Sequence, residues 1–184
     1  MIECHKVIDN FNVSDFIPII DNVPRINNLV AFGVIPCDPK LFLREKVYNK
    51  LNQLGPLSSL IFEMKPNADK GSIHVDIDAK TRTPHRSGLN IIIYGQGVMK
   101  WFNPPGEGKL SYNPNGKVFY KYWNSNYGDI IDEWGMGKIA IVRTDIPHQV
   151  WNYDEDVRLV VSIRWGNRTS WEETKDFFGK FTLD

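Results

Sequence analysis

The sequence predicts a mainly β protein, a two-sheet jelly roll with helices at its ends. Three observations predict it. About eight short runs rich in Val, Ile, Phe, Tyr and Trp lie between residues 58 and 165. Turn residues separate them, as in Gly95-Gln96-Gly97, Asn103-Pro104-Pro105-Gly106, Asn113-Pro114-Asn115-Gly116 and Tyr153-Asp154-Glu155-Asp156. Helical patterns occur only towards the ends, so nothing supports the strand–helix alternation of a parallel sheet. An immunoglobulin-type sandwich is the main competitor on strand pattern.

Residues 29–36, LVAFGVIP, read as a strand or buried arm. A helix is predicted next. Asp38 caps it, Pro39 suits its first turn, and Leu41, Leu43, Val47 and Leu51 share one face at helical spacing. Gly55-Pro56 ends it. The β texture then begins, with SSLIFEM (58–64), SIHVDID (72–78), GLNIIIYG (88–95) and VMKWFN (98–103). KVFYKYW (117–123), GKIAIVR (137–143), HQVWN (148–152) and VRLVVSIRW (157–165) follow. SWEETKDFF (170–178) forms a last helix, with Ser170 as cap and Glu173 at the capping-box position. Residues 1–184 read as one domain: an N-terminal arm and helix in 1–57, a β core in 58–165 and a C-terminal helix in 166–184.

Composition narrows the function classes. The 184 residues hold 22 Lys+Arg and 22 Asp+Glu, and zero formal charge argues against a nucleic-acid clamp. With 42% hydrophobic and 24% charged residues the chain is globular, not disordered. Cys4 and Cys37 make neither a disulfide scaffold nor a zinc ribbon, and unpaired cysteines suit a reducing compartment. No apolar run approaches the roughly 18 residues of a membrane span. The opening MIECHKVIDNF does not read as a signal peptide. The expectation is a cytoplasmic protein with a small-molecule or peptide partner and neither nucleic acid nor membrane. No Gly-Lys-Ser/Thr phosphate loop and no Gly-x-Ser-x-Gly elbow is present.

Four histidines exist: His5, His74, His85 and His148. In SIHVDID, Ile73, Val75 and Ile77 alternate with His74, Asp76 and Asp78. Residues i and i+2 of a strand point to one face, so His74 and Asp76 project side by side. His148 begins a later strand and offers a third donor. Two histidines and one carboxylate form the facial triad that holds a non-haem iron with open positions. Taken alone, His-x-Asp is weak: about 0.3 occurrences are expected by chance. A polar, solvated strand face explains it equally well.

Arg158 stands ten residues after His148 and opens VRLVVSIRW. Alternation puts Arg158, Val160, Ser162 and Arg164 on one face of that strand. An arginine facing an interior metal site is costly unless it meets an anion, and its fork matches a carboxylate. A dicarboxylic co-substrate chelating the metal at one end would place its other end there. The competing reading is a surface ion pair with Asp154, Glu155 or Asp156.

The order His74-x-Asp76, then GLNIIIYG, then PHQVWN, then Arg158 resembles the 2-oxoglutarate/Fe(II)-dependent dioxygenase superfamily. HQVWNYDEDVRLVVSIRW is similar to the end of the aspartyl/asparaginyl β-hydroxylase branch, where a distal His-x-Val-Trp is followed by Arg-Leu. The resemblance covers roughly residues 58–165. It implies a double-stranded β-helix, the cupin-like jelly roll. It implies Fe(II) held by His74, Asp76 and His148, with 2-oxoglutarate as co-substrate on Arg158. It also implies O2 as oxidant and hydroxylation of an amino-acid, peptide or small-metabolite substrate. That branch lacks the acidic ligand, whereas Asp76 is present here, so the chain is closer to the general His-x-Asp…His type. The long spacing from His74 to His148 reads as an insertion around 103–136, a lid or substrate loop.

Asn90, Ile92 and Tyr94 share a strand face by alternation, which offers Asn90 and Tyr94 to the co-substrate as neutral donors. A packed core tyrosine is the competing reading. Ser162 adds a hydroxyl on the face of Arg158. His85, in TPHRSG, faces substrate, stands in as a ligand or is solvated. Arg82 and Arg86 either meet an anionic substrate or stay in water. Two other classes stay open: a cupin-type metalloenzyme that does not use 2-oxoglutarate, and a metal-free jelly-roll binding module.

Overall fold

The computed structural model describes residues 2–29, 31–66, 72–78, 81–104, 106–113, 118–123, 128–135, 137–165 and 169–183. In chain order the elements begin with β1 (His5–Val7), α1 (Val13–Phe16), β2 (Phe32–Cys37), α2 (Glu45–Leu51), β3 (Leu57–Met64) and β4 (Ile73–Ile77). They continue with β5 (Ser87–Tyr94), β6 (Val98–Asn103), β7 (Lys109–Asn113), β8 (Val118–Trp123) and β9 (Asp129–Gly135). β10 (Ile139–Arg143), β11 (His148–Trp151), β12 (Arg158–Trp165) and α3 (Trp171–Gly179) complete the set.

The strands form two six-stranded antiparallel sheets. One has the order β1-β10-β5-β12-β3-β2, the other β7-β8-β4-β11-β6-β9. From β3 to β6 and from β9 to β12 the chain changes sheet at every connection, which is the winding of a jelly roll. The eight strands predicted between 58 and 165 are all present, within two residues of their expected ends, and the segment read over 29–36 forms β2 from Phe32.

Three apolar layers result. The outer face of the first sheet carries Leu89, Ile91, Ile141, Leu159, Val161 and Ile163, covered by α2, α3 and the N-terminal arm through residues such as Phe16, Val47 and Phe178. Between the sheets lie Ile92, Met99, Trp101, Ala140, Val142 and Val160. A small cluster of Ile73, Phe102 and Trp151 packs on the outer face of the second sheet. All eight residues of β12 are buried, because helices cover one side and the second sheet the other.

Two expectations change. The long helix after Asp38 is broken. Asp38 does cap a turn, with Lys40 N donating to Oδ1 at 3.0 Å, but that turn is a 3-10 segment, Pro39–Leu41. Arg44 N donates to Phe16 O at 2.9 Å, a tertiary bond that interrupts the helical ladder, and α2 starts at Glu45. Leu41 is left exposed. The described residues of the segment 103–136 are largely sheet where a loop was expected: β7 and β8 pair with each other, β8 pairs with β4, and β9 pairs with β6. The C-terminal helix has the expected box, with Glu173 N donating to Ser170 Oγ and Ser170 N to Glu173 Oε2.

Candidate metal centre

The inner face of the second sheet carries one cross-strand row. His74 of β4 pairs with His148 of β11, Tyr122 of β8 lies opposite His74, and Trp101 of β6 lies opposite His148. The ring centroids of the two histidines are 4.5 Å apart. Asp76, two residues after His74, shares the face, as alternation requires. Donor atoms of His74, Asp76 and His148 all lie within 4.8 Å of one another.

The protonation of both rings follows from their bonds. His74 Nδ1 lies 3.0 Å from Ser72 O, and His148 Nδ1 lies 2.9 Å from Ile146 O. A carbonyl oxygen only accepts, so each Nδ1 carries a proton and each Nε2 is the ring nitrogen turned to the site. This is how second-layer bonds orient metal-binding imidazoles. Burial, and then His74 beside it, pushes the pKa of His148 down to about 3, so it is neutral at ordinary pH. For Asp76, burial opposes ionisation, but Arg164 and the nearby imidazoles outweigh it and hold the carboxyl well below the usual range. Two imidazole nitrogens and an ionised carboxylate are a donor set that suits a first-row divalent metal and leaves coordination positions open. Cis ligands of such an ion sit roughly 3 Å apart, so the donors need only a small inward movement to close on one.

Two further residues border the triad: Arg164, for which the sequence offers no role, and His85. Arg164 is buried on the inner face of β12, and its Nη2 donates to Asp76 Oδ2 at 2.9 Å. Alternation already placed Arg164 on this face, but nothing in the sequence names a partner 88 residues away. His85 sits beside Asp76. Its backbone N donates to Asp76 O at 2.9 Å, its carbonyl accepts from Thr144 Oγ1, and its buried Nδ1 has no partner. Burial lowers its pKa. It is therefore not a solvated turn residue. Arg82 stacks on Phe119, 3.5 Å from the ring centroid. His5 stacks on Trp101 and bonds Asp132, on the other side of Trp101 from the triad.

Arg158 lies on the inner face of β12, 4% exposed, six residues before Arg164. At the rise of a strand their Cα atoms are about 20 Å apart. Arg158 has no ion pair among the described residues. Asp154, one of the acids the sequence offers it, instead accepts from Gln96 N at 3.1 Å. Arg158 Nε is buried without a hydrogen-bond partner, and burial alone pulls its pKa down to about 10. Room for the side chain comes from Gly97, where an added Cβ would lie 2.6 Å from Arg158 Nε and from Trp151 O.

Asn90 and Ser162 are register partners on the same inner face, and Ser162 Oγ donates to Asn90 Oδ1. The amide nitrogen of Asn90 reaches Met99 Sδ at 3.9 Å. Tyr94 does not join them. β5 carries one extra residue between Ile92, which pairs with Val160, and Tyr94, which pairs with Leu159. That bulge turns Tyr94 to the helix-covered face, against the outer apolar layer, where its hydroxyl accepts from Arg25. The simple alternation that put Tyr94 beside Asn90 is thereby corrected. Trp151 points away from the His148 side, as an odd offset along a strand requires.

No protein-family model and no curated protein matches the chain. Solved structures resemble it in strand arrangement. The oxalate decarboxylase formate complex of Lactobacillus farciminis matches with 12% identity and a TM-score of 0.41, over 78% of this chain and 31% of that one. A mutant of Bacillus subtilis oxalate decarboxylase matches with 12% identity and a TM-score of 0.41, over 78% and 28%. The vicilin of Solanum melongena matches with 9% identity and a TM-score of 0.43, over 80% and 32%. The chain thus spans about a third or less of the length of these proteins. Likenesses this distant carry no information about chemistry.

Proposed function

We propose that the protein is a jelly-roll metalloenzyme, an Fe(II)- and 2-oxoglutarate-dependent oxygenase acting on an amino-acid, peptide or small-metabolite substrate. His74, Asp76 and His148 would hold the iron. Arg158 would take the distal carboxylate of 2-oxoglutarate. Arg158 is the observation that carries this reading. A guanidinium this buried, with no acid beside it among the described residues, is costly, and a bound carboxylate offsets that cost.

Loaded with iron, 2-oxoglutarate and O2, such a site supplies oxidative decarboxylation to succinate and CO2 with transfer of one oxygen atom to a substrate C–H bond. The chain's own residues do the rest. Ser72 O and Ile146 O fix the two imidazoles with Nε2 inward. Arg164 keeps Asp76 ionised and oriented. Met99, Trp101 and Val160 wall the inter-sheet space with apolar surface that excludes water.

The test is anaerobic titration with Fe(II) and 2-oxoglutarate, read by visible absorbance. Chelation of Fe(II) by the 2-oxo acid gives a weak charge-transfer band that neither component shows alone. The band is expected in the wild type and lost in His74→Ala and Arg158→Ala. Fe(II) binding without a band removes 2-oxoglutarate from the reading, and no Fe(II) binding removes the metal.

A second reading, a metalloenzyme of this fold that does not use 2-oxoglutarate, is favoured by one observation. Ser162 and Asn90, which lie on the inner face between Arg158 and Arg164, are already bonded to each other, and Ser162 is fully buried. Under it, Fe(II) binding survives unchanged in Arg158→Ala and no band forms.

A further inference from the structure

We propose that Arg164 is a positioning residue that ties down one oxygen of Asp76, so that the carboxylate presents a single oxygen to a bound cation and the site prefers transition-metal dications to calcium. This rests on the metal reading above.

The two oxygens of Asp76 are not equivalent. Oδ2 accepts from Arg164 Nη2 at 2.9 Å, while Oδ1 is the oxygen turned to His74 Nε2, at 3.8 Å. The guanidinium is itself held. Its Nη1 reaches Asn90 Oδ1 at 3.4 Å, and Asn90 is anchored by Ser162. Its slot exists because residue 88, its register partner on β5, is glycine: an added Cβ would lie 1.9 Å from Nη1 and 2.8 Å from Cζ. Asp76 is therefore not free to turn both oxygens towards an ion.

The chemical consequence follows from ligand count. Calcium takes six to eight oxygen donors, commonly including two-oxygen carboxylates. Two imidazoles and one carboxylate oxygen offer it little, whereas they suit iron, cobalt, manganese or zinc. The competing role for Arg164 is structural, a buried ion pair joining β12 of one sheet to β4 of the other. The two roles differ in what they predict for selectivity. Loss of a structural tie lowers all affinities together, while freeing the oxygen changes their ratio.

The experiment is Co(II) titration of the protein, read by visible absorbance, with Ca(II) as competitor. Arg164→Gln removes the charge and the fork. Gly88→Ala keeps the charge but pushes the fork out of its slot. Folding of each is checked by its metal-free melting curve. In the wild type, Co(II) is expected to bind and a hundredfold excess of Ca(II) to leave it in place. In both variants the Co(II)-to-Ca(II) affinity ratio is expected to fall at least tenfold. An unchanged ratio in either folded variant overturns the positioning role and leaves the metal reading intact. Absence of Co(II) binding in the wild type, matching His74→Ala, overturns both.

Discussion

His74 and His148 face each other as direct partners across the β4–β11 pair, and each donates its Nδ1 proton to the carbonyl two residues before it, Ser72 and Ile146. The two candidate ligands are thus oriented by the same local device on adjacent strands. Each strand carries its own anchor, so neither ring depends on a side chain elsewhere for its tautomer. Asp76 differs, because its orientation comes from Arg164 in the opposite sheet.

That geometry makes the metal-free protein sensitive to acid. Burial and the adjacent His74 hold the pKa of His148 at about 3 against an ordinary 6.5. The unfolded chain takes up a proton that the native state refuses across this window, so stability falls as pH drops through it. The Asp76 pKa is depressed, so its contribution is present above its ordinary 3.8 and is lost at lower pH. The melting temperature of the metal-free protein is expected to fall from pH 7 to pH 4, with a loss of about 1 kcal/mol per pH unit below pH 6.5. His148→Gln flattens the upper part of that profile. An unaltered slope in the variant would show that His148 is not the group refusing the proton.

Arg158 predicts a trade of stability against binding. A buried charge with no partner is replaced favourably by an apolar side chain of similar length. Arg158→Met is expected to gain about 1–3 kcal/mol in urea unfolding of the metal-free protein while losing the Fe(II)–2-oxoglutarate band. A variant less stable than the wild type contradicts the picture of an unpaired charge.

Gly95 follows β5 in the connection that crosses to β6 of the other sheet, with φ of +76°, and an added Cβ would sit 2.6 Å from Arg158 Cα and Val157 O. Gly106 has a similar φ, +74°, but open space around it. Gly106→Ala is expected to cost about 1 kcal/mol from the backbone alone, and Gly95→Ala about 2 kcal/mol more because fixed backbone must move. Equal costs for the two would refute the close contact.

Ile163 is fully buried in the helix-covered layer, and Ile163→Ala is expected to cost about 2–5 kcal/mol. Ser170→Ala removes the cap of α3 and costs about 1 kcal/mol. Both leave the Co(II) titration unchanged in the folded fraction, since neither side chain faces the triad.

The sequence made much of this legible wherever the period is regular. β4 and β12 alternate without interruption, so the faces of His74, Asp76, Arg158 and Arg164 could be read directly. Ser170 and Glu173 signalled α3 because capping chemistry is local. What was missed depends on distant partners. β7, KLSYN, is polar and lies at a sheet edge, and β9, DIIDEWG, is acidic and half exposed, so neither carries a strong apolar pattern. The bulge that turns Tyr94 away is set by pairing with β12 and leaves no mark in GLNIIIYG. The roles of Arg164 and His85 appear only when β4, β5 and β12 meet.

Because β12 has no solvent-facing side, its length is constrained in a way that its composition is not. Odd positions such as Ile163 belong to the helix-covered layer, and even positions such as Arg164 to the layer between the sheets. A one-residue deletion or insertion within it would exchange the two sets, sending a guanidinium under α3 and an isoleucine against Asp76. Point changes in this strand can be graded in effect, whereas single-residue indels should be lethal to fold and chemistry at once. A deep indel scan of the gene would therefore show β12 as a gap flanked by tolerant turns.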